Sequence, residues 1–88
     1  MKQHITPVQA LEITEEQFYS LFDEIVKRKD WAHFHHKKVN IGKCIELLDF
    51  SLTKIEYDNF DYYVHTNKGE NGKFELIDAL WEATKSIL

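Results

Sequence analysis

The stretch TKIEYDNFDYYVH, residues 53–65, decides the fold class, because apolar and polar residues alternate on both sides of an Asp-Asn pair. Alternation with a period of two is typical of a half-buried β-strand. Asp and Asn both tolerate the left-handed backbone conformation that a tight turn requires. We therefore predict a β-hairpin with a two-residue turn at Asp58-Asn59. This register pairs Tyr57 with Phe60 and places the alternating apolar residues on one face.

Helix signals precede the hairpin. Thr6, with Pro7 and Gln9 after it, predicts a short first helical turn with a capping box. Thr14 begins a second and stronger helix, predicted over residues 15–30, whose apolar residues recur at helical spacing. The three cations at 27–29 then fall in its last turn, where the helix dipole favours positive charge.

The remaining elements follow from similar signals. Asn40 is the predicted N-cap of a helix over residues 41–49. After the hairpin, residues 67–72 read as a polar loop, Lys73-Phe74 as a short third strand, and residues 75–86 as a closing helix. The sequence thus predicts an α+β fold: two N-terminal helices with a short first turn, a small antiparallel hairpin or three-stranded sheet, and a C-terminal helix.

Length and composition restrict the class of protein. A chain of 88 residues is expected to form a single domain, 1–88. One cysteine allows no internal disulfide, which favours a reducing, cytoplasmic setting. The N-terminus has no apolar core of a signal peptide, and no run reaches the roughly 20 apolar residues of a membrane span, so we expect no membrane partner.

The net charge of −4 hides one basic segment, residues 27–43, which carries six Lys or Arg and a single acid. With Trp31 and Phe34 interleaved, this segment is a candidate nucleic-acid contact through phosphates and stacked bases. The alternative is an ordinary solvated helix end and polar connection. The part that a helix end does not explain is a candidate partner-binding patch, made of His33, His35, His36, Lys37 and Lys38.

The same histidines, with Cys44 or Asp30, are considered as zinc ligands, but their spacing matches no zinc motif. Cys44 lies on the apolar face of its predicted helix, which favours a buried thiol over a nucleophile. Phosphate-binding glycine loops and hydrolase motifs are absent from the sequence. We therefore expect no metal, no cofactor and no enzymatic activity.

Carboxylates around the hairpin form the rival candidate surface. Glu56, Asp58 and Asp61 lie at or beside the predicted turn, and the acids on or before the closing helix are candidates to join them in one acidic surface: Glu70, Glu75, Asp78 and Glu82. They are either ordinary solvated charge or a surface that imitates a phosphate backbone and occupies a basic groove of another protein.

The segments ITPVQALEITEEQFYSLFDEIVKRKDW, HHKKVNIGKCIELL and FELIDALWEATKSIL give the chain a family-level resemblance. It resembles small accessory proteins encoded by phages and prophages of Firmicutes, in which a helix of the DALWEA type follows a hairpin. Such genes often encode inhibitors of host systems, including anti-CRISPR and other anti-defence proteins. The resemblance carries no catalytic residue across and is an analogy of setting.

These observations predict a non-enzymatic accessory protein that binds a host protein or protein complex. The expected role is inhibition of a host defence or nucleic-acid-handling system. The alternatives are a nucleic-acid-binding module that uses residues 27–43, and a phage morphogenesis protein. The oligomeric state stays open, with a dimer as one alternative.

Overall fold

The computed structural model describes residues 1–22 and 27–88, apart from the side chain of Phe34. Its antiparallel sheet has the strand order β1-β2-β3. The strands are β1 (Leu52–Asp58), β2 (Asp61–Thr66) and β3 (Gly69–Lys73), and the helices with clear α geometry are α1 (Pro7–Ala10), α2 (Glu15–Phe22), α3 (Arg28–Asp30), α4 (Ile41–Leu48) and α5 (Leu76–Ser86). The predicted α+β fold is confirmed.

The predicted helix starts are confirmed by their caps. Thr6 Oγ1 accepts from the Gln9 main-chain N–H at 3.1 Å, and Gln9 Oε1 accepts from the Thr6 N–H at 2.9 Å. Thr14 and Gln17 make the same reciprocal pair at 3.1 and 2.9 Å. Asn40 Oδ1 accepts from the Lys43 N–H at 2.8 Å. Each cap satisfies donors that the first helical turn leaves unpaired.

The prediction of one helix over 15–30 is wrong at Lys27, which is extended with φ −65° and ψ 141°. A new helical run begins there and passes from α3 into a π-helix (Trp31–His35) and a 3₁₀ turn (His36–Lys38). The cations at 27–29 therefore begin a helical run, where the dipole does not favour them. The predicted apolar positions Ile25 and Val26 lie outside the described residues.

The hairpin forms, but its predicted register is wrong. The loop is Asn59-Phe60, and Tyr57 pairs with Tyr62 while Ile55 pairs with Val64. This register places Ile55, rather than Thr53, opposite the buried Val64 and so joins two apolar side chains. The shift is by two residues, which preserves the predicted face because side chains alternate with a period of two.

The third strand is longer and earlier than predicted. β3 covers most of the predicted polar loop, and Phe74 follows the strand with 70 % of its surface exposed. The turn between β2 and β3 is Asn67-Lys68, since Thr66 pairs with Gly69. Gly69 has φ 134°, a conformation that only glycine adopts without strain.

The core lies between the sheet and the helices, with α5 packed on β2 and β3. Helical spacing predicts a buried stripe of Ile77, Leu80, Trp81, Thr84 and Ile87 for α5; the first four are fully buried, and Ile87 is half-buried. Both indoles anchor other elements, because Trp31 Nε1 donates to the Ala10 carbonyl at 3.0 Å and Trp81 Nε1 donates to Glu12 Oε1 at 2.8 Å. Within the described ranges, no helix is long and apolar enough to span a lipid bilayer.

Candidate protein-contact site

The predicted acidic residues come together on the outer face of the sheet. In the observed register Glu56 pairs with Tyr63, and Asp58 pairs with Asp61 across the loop. Residues of paired strands that lie directly opposite share a face, so the three carboxylates lie on the face that α5 does not cover. Glu56, Asp58 and Glu70 line a shallow hollow of about 290 Å³ together with Tyr63 and His65. We call the surface formed by Glu56, Asp58, Asp61 and Glu70 the acidic face. The acids of the closing helix do not join it, because α5 packs on the other face of the sheet, where Asp78 pairs with Lys2 and Glu82 with Lys85.

At the end of the acidic face farther from the loop, Lys54 and His65 lie close to its carboxylates. His65 Nε2 lies 2.9 Å from Glu56 Oε1, and His65 Nδ1 lies 3.5 Å from Glu70 Oε2. Lys54 Nζ lies 2.7 Å from Glu56 Oε1. The hydrogen bond and charge of Lys54, with a smaller effect of His65, lower the pKa of Glu56, so this carboxylate is ionised at neutral pH.

Asp58 and Asp61 stand in contrast at the outer end. Their Cα atoms face each other directly beside the loop. Like charges that lie directly opposite in an antiparallel pair destabilise it. Asp58 and Asp61 therefore destabilise the hairpin at the end next to its loop.

The opposite face of the hairpin carries apolar residues that α5 leaves uncovered. α5 packs on β2 and β3, whereas every residue of β1 after Leu52 is exposed. The rings of Tyr57 and Tyr62 pack across the strands with centroids 4.8 Å apart, yet Tyr57 keeps 61 % of its surface exposed. Since β1 extends past the helix, part of an apolar sheet face is open to solvent.

Phe60 occupies the tip between these two faces. It lies in the loop with φ 68°, next to Asn59 with φ 51°, which makes the loop a type I′ turn. A side chain other than Gly, Asn or Asp is strained in this conformation, at a cost of about 1–2 kcal/mol. The ring is nevertheless 76 % exposed and contributes no core packing. Strain that holds an aromatic ring in solvent is the kind of outlier that marks functional sites.

Phe60 does not stand alone. A hollow of about 240 Å³ is lined by Met1, Tyr57, Phe60, Tyr62, Phe74 and Glu75. Met1 and Phe74 are themselves exposed. The described residues thus form an aromatic cluster of Tyr57, Phe60, Tyr62 and Phe74, with Tyr57 and Tyr62 on the opposite face of the sheet from the acidic face and Phe60 at the tip between the two faces.

The predicted basic patch lies elsewhere, on the helical connection before α4. His33, Lys37 and Lys38 are exposed, but His35 and His36 are half-buried. The His36 ring packs edge-on against His4 with centroids 5.6 Å apart. The N-terminal segment is fixed beside this connection, because the Ile5 N–H donates to the Val39 carbonyl at 3.1 Å. Two of the five predicted residues therefore take part in packing.

Two further cations of the basic segment have structural partners. The Arg28 guanidinium donates from Nε to the Ile13 carbonyl at 3.1 Å and from Nη2 to the Leu11 carbonyl. These carbonyls follow α1, so Arg28 closes the connection between α1 and α2. Lys43 lies 3.3 Å from Glu46 and 5.2 Å from the centre of the Phe22 ring. Arg28 and Lys43 thus both interact with partners inside the fold.

The geometry of the described residues supports neither the zinc site nor the Cys44 nucleophile considered from the sequence. Among the described residues, no three His, Cys, Asp or Glu side chains are placed to hold a metal ion. Cys44 is fully buried. Burial raises the pKa of its thiol to about 11, despite an opposing hydrogen bond with Thr84. A thiol with this pKa is protonated at neutral pH and is a poor nucleophile.

Comparison of the chain with known protein families, with curated proteins and with solved structures finds no match. The site is therefore interpreted from its own geometry.

Sequence reasoning missed the aromatic cluster. It assigned Phe60 to the paired, inward-facing set and Phe74 to a strand, because both are apolar residues next to alternating patterns. The sequence did contain one signal: a two-residue loop at Asn59-Phe60 fits the alternating pattern as well as the predicted loop at Asp58-Asn59. That choice puts a phenylalanine where a turn residue is expected.

Proposed function

We propose that this chain is a non-enzymatic, phage-type accessory protein that binds a host protein through the end of its hairpin. The observation that carries the proposal is Phe60, an exposed aromatic ring held in a strained conformation at the tip. Aromatic residues are enriched at the centres of protein interfaces, where a few of them supply most of the binding free energy. We infer that Phe60 is such an anchor.

The chemistry around Phe60 specifies the partner. The aromatic cluster requires an apolar pocket, and the acidic face, on the other side of the hairpin end, requires basic groups on the opposite wall of the groove that receives the tip. A protein groove that normally receives nucleic acid combines these features, since it presents Lys and Arg to phosphates and apolar or aromatic surface to bases. The proposed role is therefore inhibition of a host defence or nucleic-acid-handling protein by occupation of that groove. The phage resemblance agrees with this role by analogy alone.

The charge arrangement gives independent support. Asp58 and Asp61 repel each other across the hairpin, and a carboxamide at either position would remove the repulsion. An arrangement that lowers stability at an exposed site is expected where charge serves binding. The basic segment, residues 27–43, offers less, because Arg28 and Lys43 have partners in the fold and His36 packs against His4.

The test is affinity capture from a lysate of the bacterial host, with the tagged full chain as bait. We expect a stoichiometric partner that is retained by wild type and lost by Asp58→Asn/Asp61→Asn, which removes charge with nearly the same side-chain shape. Lys37→Glu/Lys38→Glu is the matched control on the basic patch and should retain the partner. Circular dichroism confirms that each bait is folded.

A second step tests inhibition. The purified partner is expected to bind nucleic acid, and the wild-type chain should displace that nucleic acid competitively. A partner lost by the basic-patch variant and retained by the acidic one would refute the proposed surface. A partner without nucleic-acid affinity would refute the proposed role while leaving the protein-binding activity in place.

A further inference from the structure

β1 is an open edge of the sheet. It is the first strand in the order β1-β2-β3, and its residues 53–58 are all exposed. An exposed edge strand presents unpaired main-chain N–H and C=O groups that can pair with another strand. In an antiparallel ladder these groups alternate between the neighbouring strand and the free side.

The tight turn identifies which groups face outward. Asp58 and Asp61 flank the two-residue loop, so they bond to each other in the usual turn geometry. Alternation then directs the main-chain groups of Glu56 and Lys54 toward β2, and those of Tyr57 and Ile55 away from it. Ile55 and Tyr57 therefore offer the edge to a further strand.

The residues of β1 are complementary to β1 itself. Ile55 is the midpoint of Leu52–Asp58, with Lys54 before it and Glu56 after it. In an antiparallel pair centred on Ile55, Lys54 of each copy faces Glu56 of the other. Ile55 then lies opposite Ile55 of the second copy, and its side chain, 38 % exposed in the single chain, gains an apolar neighbour.

Neighbouring two-fold registers are electrostatically worse. A pair centred on Lys54 places two Lys54 side chains opposite each other. A pair centred on Glu56 does the same with two Glu56 side chains, although it also brings Lys54 near Asp58. Like charges directly opposite destabilise a strand pair. Among the registers centred on residues 54 to 57, only the one centred on Ile55 avoids a facing pair of like charges, and its Lys54–Glu56 pairs lie in the regular part of β1, beyond the bulge between Leu52 and Lys54.

We propose that β1 is a self-association surface that pairs antiparallel with β1 of a second copy of this chain, in the register centred on Ile55. The two-fold axis through Ile55 closes the assembly as a dimer and joins two three-stranded sheets into one of six strands. A lysine on an edge strand, such as Lys54, commonly protects that strand from pairing with another chain. Here that same lysine favours the register centred on Ile55, because its ammonium, already 2.7 Å from Glu56 of its own chain, then also lies opposite Glu56 of the other copy.

Sedimentation velocity over a wide concentration range tests this surface. Wild type is expected to shift from monomer to dimer as concentration rises. Lys54→Glu and Glu56→Lys each place like charges opposite in the proposed register, and each should weaken dimerisation at least tenfold. The double exchange Lys54→Glu/Glu56→Lys restores opposite charges and should restore dimerisation. Because both side chains are exposed, the variants should keep the wild-type circular dichroism spectrum.

Lys73→Glu is the matched control, since it makes the same charge change at an exposed position of β3. It should leave dimerisation unchanged. A wild-type chain that stays monomeric at every concentration would overturn the proposal. A double exchange that dimerises no better than the single variants would also overturn it. In the register centred on Ile55, the new glutamate at 54 lies opposite the new lysine at 56, whereas in the register centred on residue 56 it lies opposite Asp58 and is repelled. None of these outcomes depends on the host partner.

Discussion

At the scale of single residues, two of the three described non-glycine positions with positive φ, Phe60 and Asp49, have different consequences, whereas the third, Asn59, is a residue type that tolerates this conformation. Phe60 and Asp49 both have positive φ, at 68° and 44°. Asp49 follows α4, away from the hairpin, and glycine would relieve the strain at either position. The entropy that glycine loses on folding offsets part of that gain. The two positions thus provide a matched pair that separates stability from binding.

We predict that Phe60→Gly and Asp49→Gly each raise the free energy of unfolding by up to about 1 kcal/mol. At Phe60 the change relieves left-handed strain, and at Asp49 it relieves a backbone with φ 44° and ψ −123°, which lies outside the left-handed region that Asp tolerates. Urea unfolding followed by circular dichroism measures this. If Phe60→Gly lowers the stability instead, the ring is part of the packed structure, and the interpretation of Phe60 as a strained contact residue is wrong.

Cys44 provides a second test at this scale. Its burial and its pKa of about 11 predict that the native protein at pH 8 reacts with a thiol reagent such as DTNB only through unfolding. The rate should rise with added urea and reach the free-thiol value when the chain is unfolded. A fast reaction without denaturant would show that the thiol is accessible and would reopen Cys44 as a nucleophile.

At the scale of elements, the caps were predictable and the hairpin register was not. Thr6, Thr14 and Asn40 act on main-chain groups three residues away, so the sequence contains both partners of each bond. A two-residue slip in the hairpin keeps every apolar side chain on the same face, so the alternating pattern fits both registers. The choice depends on the contact of Ile55 with the buried Val64, which tertiary packing determines.

The helix break at Lys27 also depends on a tertiary contact that the local sequence does not show. Helical periodicity favoured a continuous helix, whereas Arg28 is held by carbonyls of residues 11 and 13. A contact across this separation in the chain leaves no local signal. The acidic site residues were predicted individually, and their common face followed only from the pairing of β1 with β2.

Tyr63 and Gly72 link β2 and β3 and yield a prediction for the sheet. They are paired, and a Cβ atom on residue 72 would lie 2.7 Å from Cε1 of the Tyr63 ring. The ring therefore covers the glycine, an arrangement that shields an otherwise bare stretch of strand. Gly72→Ala should lower the free energy of unfolding by about 1–2 kcal/mol through this overlap.

A double-mutant cycle tests the cause of that loss. In a Tyr63→Ala background the same Gly72→Ala change should cost less than about 0.5 kcal/mol, because the clashing ring is gone. Equal costs in both backgrounds would show that the backbone conformation of Gly72, rather than Tyr63, excludes a side chain. Urea unfolding of the four proteins provides the comparison.

At the scale of the whole molecule, the fold divides the chain into a packed part and a projecting part. The buried side chains belong to the helices, the N-terminal segment and β2, and α5 holds β2 and β3 against them. β1 and the loop after it are exposed from residue 53 onward and carry part of the aromatic cluster and of the acidic face, whose other members lie on β2 and β3 and at Phe74. A domain of this size has little stability to spare, so exposed aromatics and opposed carboxylates are expected only where they contribute to binding.

The central claim is that Phe60 binds a host protein at the expense of hairpin stability. The most direct test is the equilibrium affinity of the captured partner for wild type, Phe60→Gly and Asp49→Gly, measured by isothermal titration calorimetry. We predict that Phe60→Gly binds at least tenfold more weakly, as expected for loss of an aromatic anchor, and that Asp49→Gly binds like wild type. Wild-type affinity for Phe60→Gly would contradict the claim.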